Sequence, residues 1–142
     1  MDAENQPVVL LVSRTAKGLG RAFDEALAAA GGSVPTWLVL DALATADHPT
    51  QGDLAEAVGV RQPTLTHHLD TLTRAGFVTR DRDPGNRRVQ RVALTPAGEQ
   101  LFLRLRRAAA SFDGRLRAGL RDEDLTVLRR LMAQLTENAQ PD

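Results

Sequence analysis

The stretch "DLAEAVGVRQPTLTHHLDTLTRAGFVTRDRDPGNRRVQRVALTPAGE", residues 53–99, decides the fold. Its first part reads as two short helices. Thr50 and Asp53 have capping-box spacing, with Asp where Glu or Gln is usual, and Leu54, Ala55 and Val58 share one face up to Gly59. The second helix runs from Gln62-Pro63-Thr64 to Gly76 and repeats Leu65, Leu69 and Leu72 at steps of four and three. Two short helices joined by a tight turn at Gly59-Val60 have the layout of a helix-turn-helix. The periodicity then shortens. "FVTRDRD" and "RRVQRVALT" contain alternating stretches around "PGN", a turn signal, and predict a β-hairpin with a polar, basic tip at residues 83–88. A helix-turn-helix followed directly by such a hairpin is a winged helix.

Flanking segments are helical in pattern. Residues 8–31 place Leu11, Leu19, Phe23, Leu27 and Ala30 along one stripe, and Gly31-Gly32 ends it. Ser33 caps "VPTWLVLDALATAD", with Pro35 in the first turn, and His48-Pro49 breaks the chain. Thr95-Pro96 opens a helix carrying Leu101, Leu105, Ala108, Phe112 and Leu116, and Asp122 is the expected cap of a final helix with Leu125, Leu128, Leu131, Met132 and Leu135. Three long amphipathic helices exceed what so small a central module can cover, and a second copy in a two-fold dimer is the economical partner. The expected fold is mostly α with a small β-hairpin wing. Its organisation is a dimerisation helix over 1–32, a winged helix-turn-helix over 33–95 and dimerisation helices over 96–142.

Charge sharpens this reading. The 142-residue chain has a net charge of zero, but residues 61–91 hold seven arginines against three aspartates. That local excess lies beside the second short helix, while residues 1–60 carry eight acids against three bases. A basic stripe of this kind is either an ordinary solvated face or the electrostatic footprint of a nucleic-acid partner, and charge alone does not choose between them. Zero cysteines exclude disulfides, thiolate metal sites and thiol redox switching. The apolar run "VVLLV", residues 8–12, behind an acidic start, is too short for a membrane span and lacks a signal peptide's basic flank, so a cytoplasmic protein is expected.

The adjacent pair His67-His68 raises a metal question. Neighbours on a helix point about 100° apart, so one ion cannot draw both. A zinc-responsive regulator using His48, His67 or His68 with an acid is the alternative reading. No nucleophile triad, phosphate-binding loop or H-E-x-x-H signature is present, no cofactor is expected, and an enzyme is not.

Residues 53–99 closely resemble the core of the MarR (multiple antibiotic resistance regulator) family of bacterial transcription factors. In that family a wing motif D-x-R-x5-L-T follows the recognition helix, and here Asn86-Arg87-Arg88, five residues and Leu94-Thr95 are followed by Pro-Ala-Gly-Glu. Asn86 stands where the family has Asp, offering an acceptor but no charge to hold a guanidinium. More weakly, "SVPTWLVLDAL" is similar to the family's second helix and the last two helices to its dimerisation elements.

The resemblance implies a homodimer on double-stranded DNA, most simply a repressor, responsive to a small aromatic or anionic effector. Gln62, Pro63, Thr64, Thr66, His67 and His68 would form the recognition helix's reading face in the major groove. Asn86, Arg87 and Arg88 would form the wing contact, with Arg88 the inserted residue. Arg61, Arg74, Arg80 and Arg82 would hold phosphates; Arg74, Arg80, Arg82 and Arg91 could instead pair with Asp70, Asp81 and Asp83. Phe23, Trp37, Phe102 and Phe112 are the candidate lining of an effector pocket, and no metal site is assigned.

Overall fold

The computed structural model describes residues 5–47 and 50–141, and for Arg87 the backbone only. In chain order the elements are α1 (Val8–Ala29), α2 (Val34–Thr45), α3 (Gln51–Val58), α4 (Gln62–Arg74), β1 (Val78–Asp83), β2 (Asn86–Leu94), α5 (Pro96–Leu116) and α6 (Asp122–Asn138). Each expected element is present. His48-Pro49, expected to break the chain, lies outside the described residues.

Local chemistry sets the boundaries. The α1 terminus is a Schellman turn, in which Gly31, at φ 95°, donates to the Ala28 carbonyl and Gly32 to that of Leu27, both at 3.0 Å. Ser33 caps α2 by accepting from the Thr36 N–H at 3.2 Å. At α3 the capping box is complete. Thr50 Oγ1 accepts from the Asp53 N–H at 3.0 Å, and Asp53 accepts from the Thr50 N–H at 3.2 Å. One correction concerns α6, where Asp122 is the first helical residue and Arg121 holds the cap position. Arg121 has no side-chain acceptor, so Asp124 closes the turn by accepting from the Arg121 N–H at 2.8 Å.

The chain forms two compact units, the first reaching Ala110 and the second running from Ser111. The first is built on one apolar core containing Leu27, Val39, Leu40, Leu54, Leu65, Leu69, Leu72, Val78, Leu101 and Leu105. The leucine steps read in α4 are therefore its buried face. β1 and β2 pair antiparallel, from Val78 opposite Leu94 to Arg82 opposite Gln90, with an irregularity between Arg82 and Asp83. Opposed residues share a face, so Val78, Leu94 and Val92 look inward and Thr79, Ala93, Asp81 and Arg91 outward.

The base of the wing is fixed to both neighbouring helices. Gly76, at φ 81°, ends α4, and Phe77 donates to the Leu72 carbonyl at 3.0 Å. Thr95 then donates through its N–H to the Phe77 carbonyl (3.1 Å) and through Oγ1 to that of Gly76 (2.6 Å), and accepts from the Gly98 N–H (3.1 Å). This closeness requires glycine at 98, since a Cβ there would lie 2.0 Å from the Phe77 carbonyl oxygen.

Much apolar surface stays exposed. In α1, Val8, Val9, Leu10, Leu11 and Leu19 are 43–68% exposed. In α6 no residue is buried, and Leu128, Leu131, Met132 and Leu135 are open to solvent. Among the described residues no single helix is long and apolar enough to cross a membrane.

Candidate nucleic-acid interface

The solvent face of α4 is what its leucine face leaves over. Gln62, Pro63, Thr64, Thr66 and His67 are exposed and His68 is half-buried. Arg61 occupies the cap position, no side chain caps the helix start, and Pro63 contributes no N–H, which leaves the first-turn N–H groups of Gln62 and Thr64 for an external acceptor. Two of the expected reading residues are steadied from α3. Thr66 Oγ1 accepts from Gln51 Nε2 and donates to the Gln62 carbonyl at 3.0 Å. The Gln62 amide lies against Gly52, 3.1 Å from where a Cβ would stand. Sequence pattern gave no sign of Gln51, because its contact spans fifteen positions and follows no helical period.

His67 and His68 diverge as their spacing requires, with ring centroids 6.0 Å apart and planes at 54°. Partial burial, then the neighbouring His67, lowers the His68 pKa below its ordinary value, favouring neutral imidazole at neutral pH. A neutral ring offers one donor and one acceptor, which suits base-edge or phosphate contact. Among the described residues no three His, Cys, Asp or Glu side chains come together to hold a metal ion; His48 lies outside that set.

The arginines divide between pairing and exposure. Arg80 of β1 binds Asp70 of α4 at 2.6 Å, joining the wing to the reading helix. Arg91 binds Asp83 at 3.0 Å. The Arg74 Nε–H donates to the Asp70 carbonyl at 3.3 Å. Arg61, Arg82 and Arg88 have exposed side chains.

At the wing tip, Asp83 accepts from the Gly85 N–H at 2.8 Å as well as from Arg91. Those two donors, the backbone one first, hold its carboxyl below the usual range. Asn86 accepts from the Arg88 N–H at 3.1 Å. The amide oxygen thus makes the local turn bond open to a carboxylate, and the wing residue is oriented through its backbone.

Of the four aromatic candidates, Trp37 and Phe102 stack at 5.6 Å with planes 11° apart. Phe23 packs on the same core. Phe112 belongs to the second unit, where the Arg115 guanidinium lies 5.5 Å from its ring centroid.

Residues 33–89, from the α2 cap to the second strand of the wing, match the model of the MarR family. Over these residues the chain is similar to the MarR family. Solved structures agree along nearly the whole length. A MarR-family transcriptional regulator from Silicibacter pomeroyi is 26% identical, with 93% of this chain and 89% of that one covered and a TM-score of 0.67. MosR, a transcriptional regulator of M. tuberculosis solved in complex with DNA, is 25% identical over 94% of this chain and 96% of its own, at a TM-score of 0.75. CouR from Rhodococcus jostii RHA1, solved with p-coumaroyl-CoA, is also 25% identical, with 100% and 98% covered and a TM-score of 0.75. The MarR family is one of transcription regulators rather than enzymes, and the winged-helix fold read from residues 53–99 is the fold these proteins share.

Proposed function

We propose that the protein is a sequence-specific DNA-binding regulator, a repressor, that acts as a homodimer on a pseudo-palindromic operator. The observation that carries this reading is the Asp70–Arg80 bond, which ties the wing to the reading helix while leaving Thr64, His67, Arg82 and Arg88 exposed. In this arrangement α4 enters the major groove, with Gln62, Pro63, Thr64, Thr66, His67 and His68 as its reading face. Asn86 sets the wing turn, and Arg87 and Arg88 enter the minor groove, whose negative potential attracts guanidinium. Arg61, Arg74 and Arg82 hold phosphates. Arg80 contributes through its Asp70 pair, and its donors beyond that bond can reach the backbone.

The dimer rests on the exposed apolar faces of α1 and α6, which a monomer would leave in water. Residues 1–32 and 96–142 accordingly serve dimerisation and 33–95 serve DNA binding. Two recognition helices one duplex turn apart require an inverted repeat. Occupation of such a site in a promoter excludes polymerase, hence repression, and the protein works in the cytoplasm. A small aromatic or anionic effector completes the reading. Its support is the DNA-bound MosR and ligand-bound CouR structures, together with the Trp37–Phe102 stack beside the wing base.

Fluorescence anisotropy with labelled duplexes across a salt series tests the reading. The logarithm of affinity should fall linearly and steeply with that of salt as phosphates are engaged. Weak binding with a flat salt response would refute it.

A further inference from the structure

We propose that Gln51, which lies on α3 outside the reading helix, sets Thr66 to read the 5-methyl group of a thymine in each half-site. The four threonines of α4 differ in what their hydroxyls do. Among the described residues the Thr64 hydroxyl makes no hydrogen bond. Thr71 and Thr73 each donate to a carbonyl four residues back, that of His67 and of Leu69. Thr66 donates likewise to the Gln62 carbonyl at 3.0 Å, and among the described residues it is the one of the four that also accepts a bond from another helix, from Gln51 Nε2. Its single proton goes to Gln62, so Gln51 must present its NH2 group.

Those two bonds decide what Thr66 offers outward. A helical threonine divides between two χ1 rotamers, because its hydroxyl can bond the preceding turn. A donor arriving from α3 selects the rotamer whose oxygen faces α3, and the methyl is fixed with it. The hydroxyl keeps no proton for a base acceptor, yet the residue stays exposed beside His67. What remains for the groove is chiefly the methyl, and the thymine 5-methyl is the apolar feature of the major groove. Thr66 is then the contact and Gln51 its positioning residue.

The inference rests on the proposed DNA-reading function and names one determinant of its specificity. The probe is the inverted-repeat duplex that the full chain selects from a random pool, with each thymine replaced in turn by deoxyuridine. That exchange removes the methyl and leaves the hydrogen-bonding edge unchanged. Loss of one buried methyl corresponds to about a fourfold change, so uracil at the contacted thymine should weaken binding about fourfold in one half-site and about fifteenfold in both. Thr66→Ser keeps both hydrogen bonds and should treat thymine and uracil alike at that position, whereas Thr66→Val keeps a methyl and should discriminate as before. Gln51→Met keeps the length without the donor and should reduce the single-site factor below about twofold. Gln51→Met/Thr66→Val should restore it, because valine holds one helical rotamer without a partner. A purely structural role of Gln51 would not be rescued in this way, and melting curves matching the wild type confirm folding.

Uracil tolerated at every position would overturn the proposal, as would discrimination that survives Thr66→Ser or disappears instead in Thr64→Ser. Unchanged discrimination in Gln51→Met, or no recovery with the added valine, would remove Gln51 from the account. A chain that selects no duplex fails the regulator reading and this inference with it. A chain that binds its duplex with a steep salt response but ignores the methyl fails the inference alone.

Discussion

Replacing Gly98 with alanine should damage the junction between the wing and α5. The new Cβ would lie 2.0 Å from the Phe77 carbonyl oxygen and 3.0 Å from its carbon, both backbone atoms that no rotamer change can move. Relief requires α5 to retreat by more than an ångström, and overpacking of this kind costs about 1–3 kcal/mol. The same retreat stretches the Thr95 bonds to Phe77 and Gly76, each worth about 1 kcal/mol net. Together these give a loss of about 2–4 kcal/mol. Urea denaturation at one fixed protein concentration measures it, since a dimer's stability depends on concentration. Gly114→Ala on the same helix is the control, because a Cβ there meets nothing within 4 Å. A Gly98→Ala protein within about 0.5 kcal/mol of the wild type would refute the packing argument.

Arg88→Ala should weaken binding to all duplexes alike and lower the salt slope by about two, one for each protomer, whereas His67→Ala should relax preference at one base pair of each half-site by about 1–3 kcal/mol; competition anisotropy with single-base operator variants separates the two. Asn86→Asp keeps an acceptor for the Arg88 N–H, so stability by urea denaturation should change by less than about 0.5 kcal/mol. His68 binds its proton less readily in the fold than in the unfolded chain, so the unfolded state holds more protons below pH 6.5. Stability should therefore fall as pH drops from 6.5 through the lower folded value. His68→Gln should flatten that limb in urea titrations at successive pH values.

The fold was legible because its signals are local. Thr50 and Asp53 announce a helix start through their own hydrogen bonds, Gly31 and Gly76 mark ends by a conformation other residues resist, and leucine steps declare the buried face of α4. Among the candidate site residues, exposure of Thr64 and His67 follows from the same periodicity. What stayed hidden is relational. Arg80 had three aspartates within reach, and only the strand register places it on Asp70. Gln51 steadies Thr66 across the helix-turn-helix, and Gly98 is required by a carbonyl twenty-one positions earlier; neither carries a sequence period. Asp122 was a sound cap by residue type, yet the turn closes one residue earlier because Asp124 reaches back to Arg121.

Selection of genomic fragments by the purified protein, with the Arg87→Ala/Arg88→Ala double variant in parallel, tests the central claim most directly. The account predicts one enriched inverted repeat with half-sites about a helical turn apart, lost in the variant. Recovery of nothing above background, or equal recovery by the variant, would contradict it.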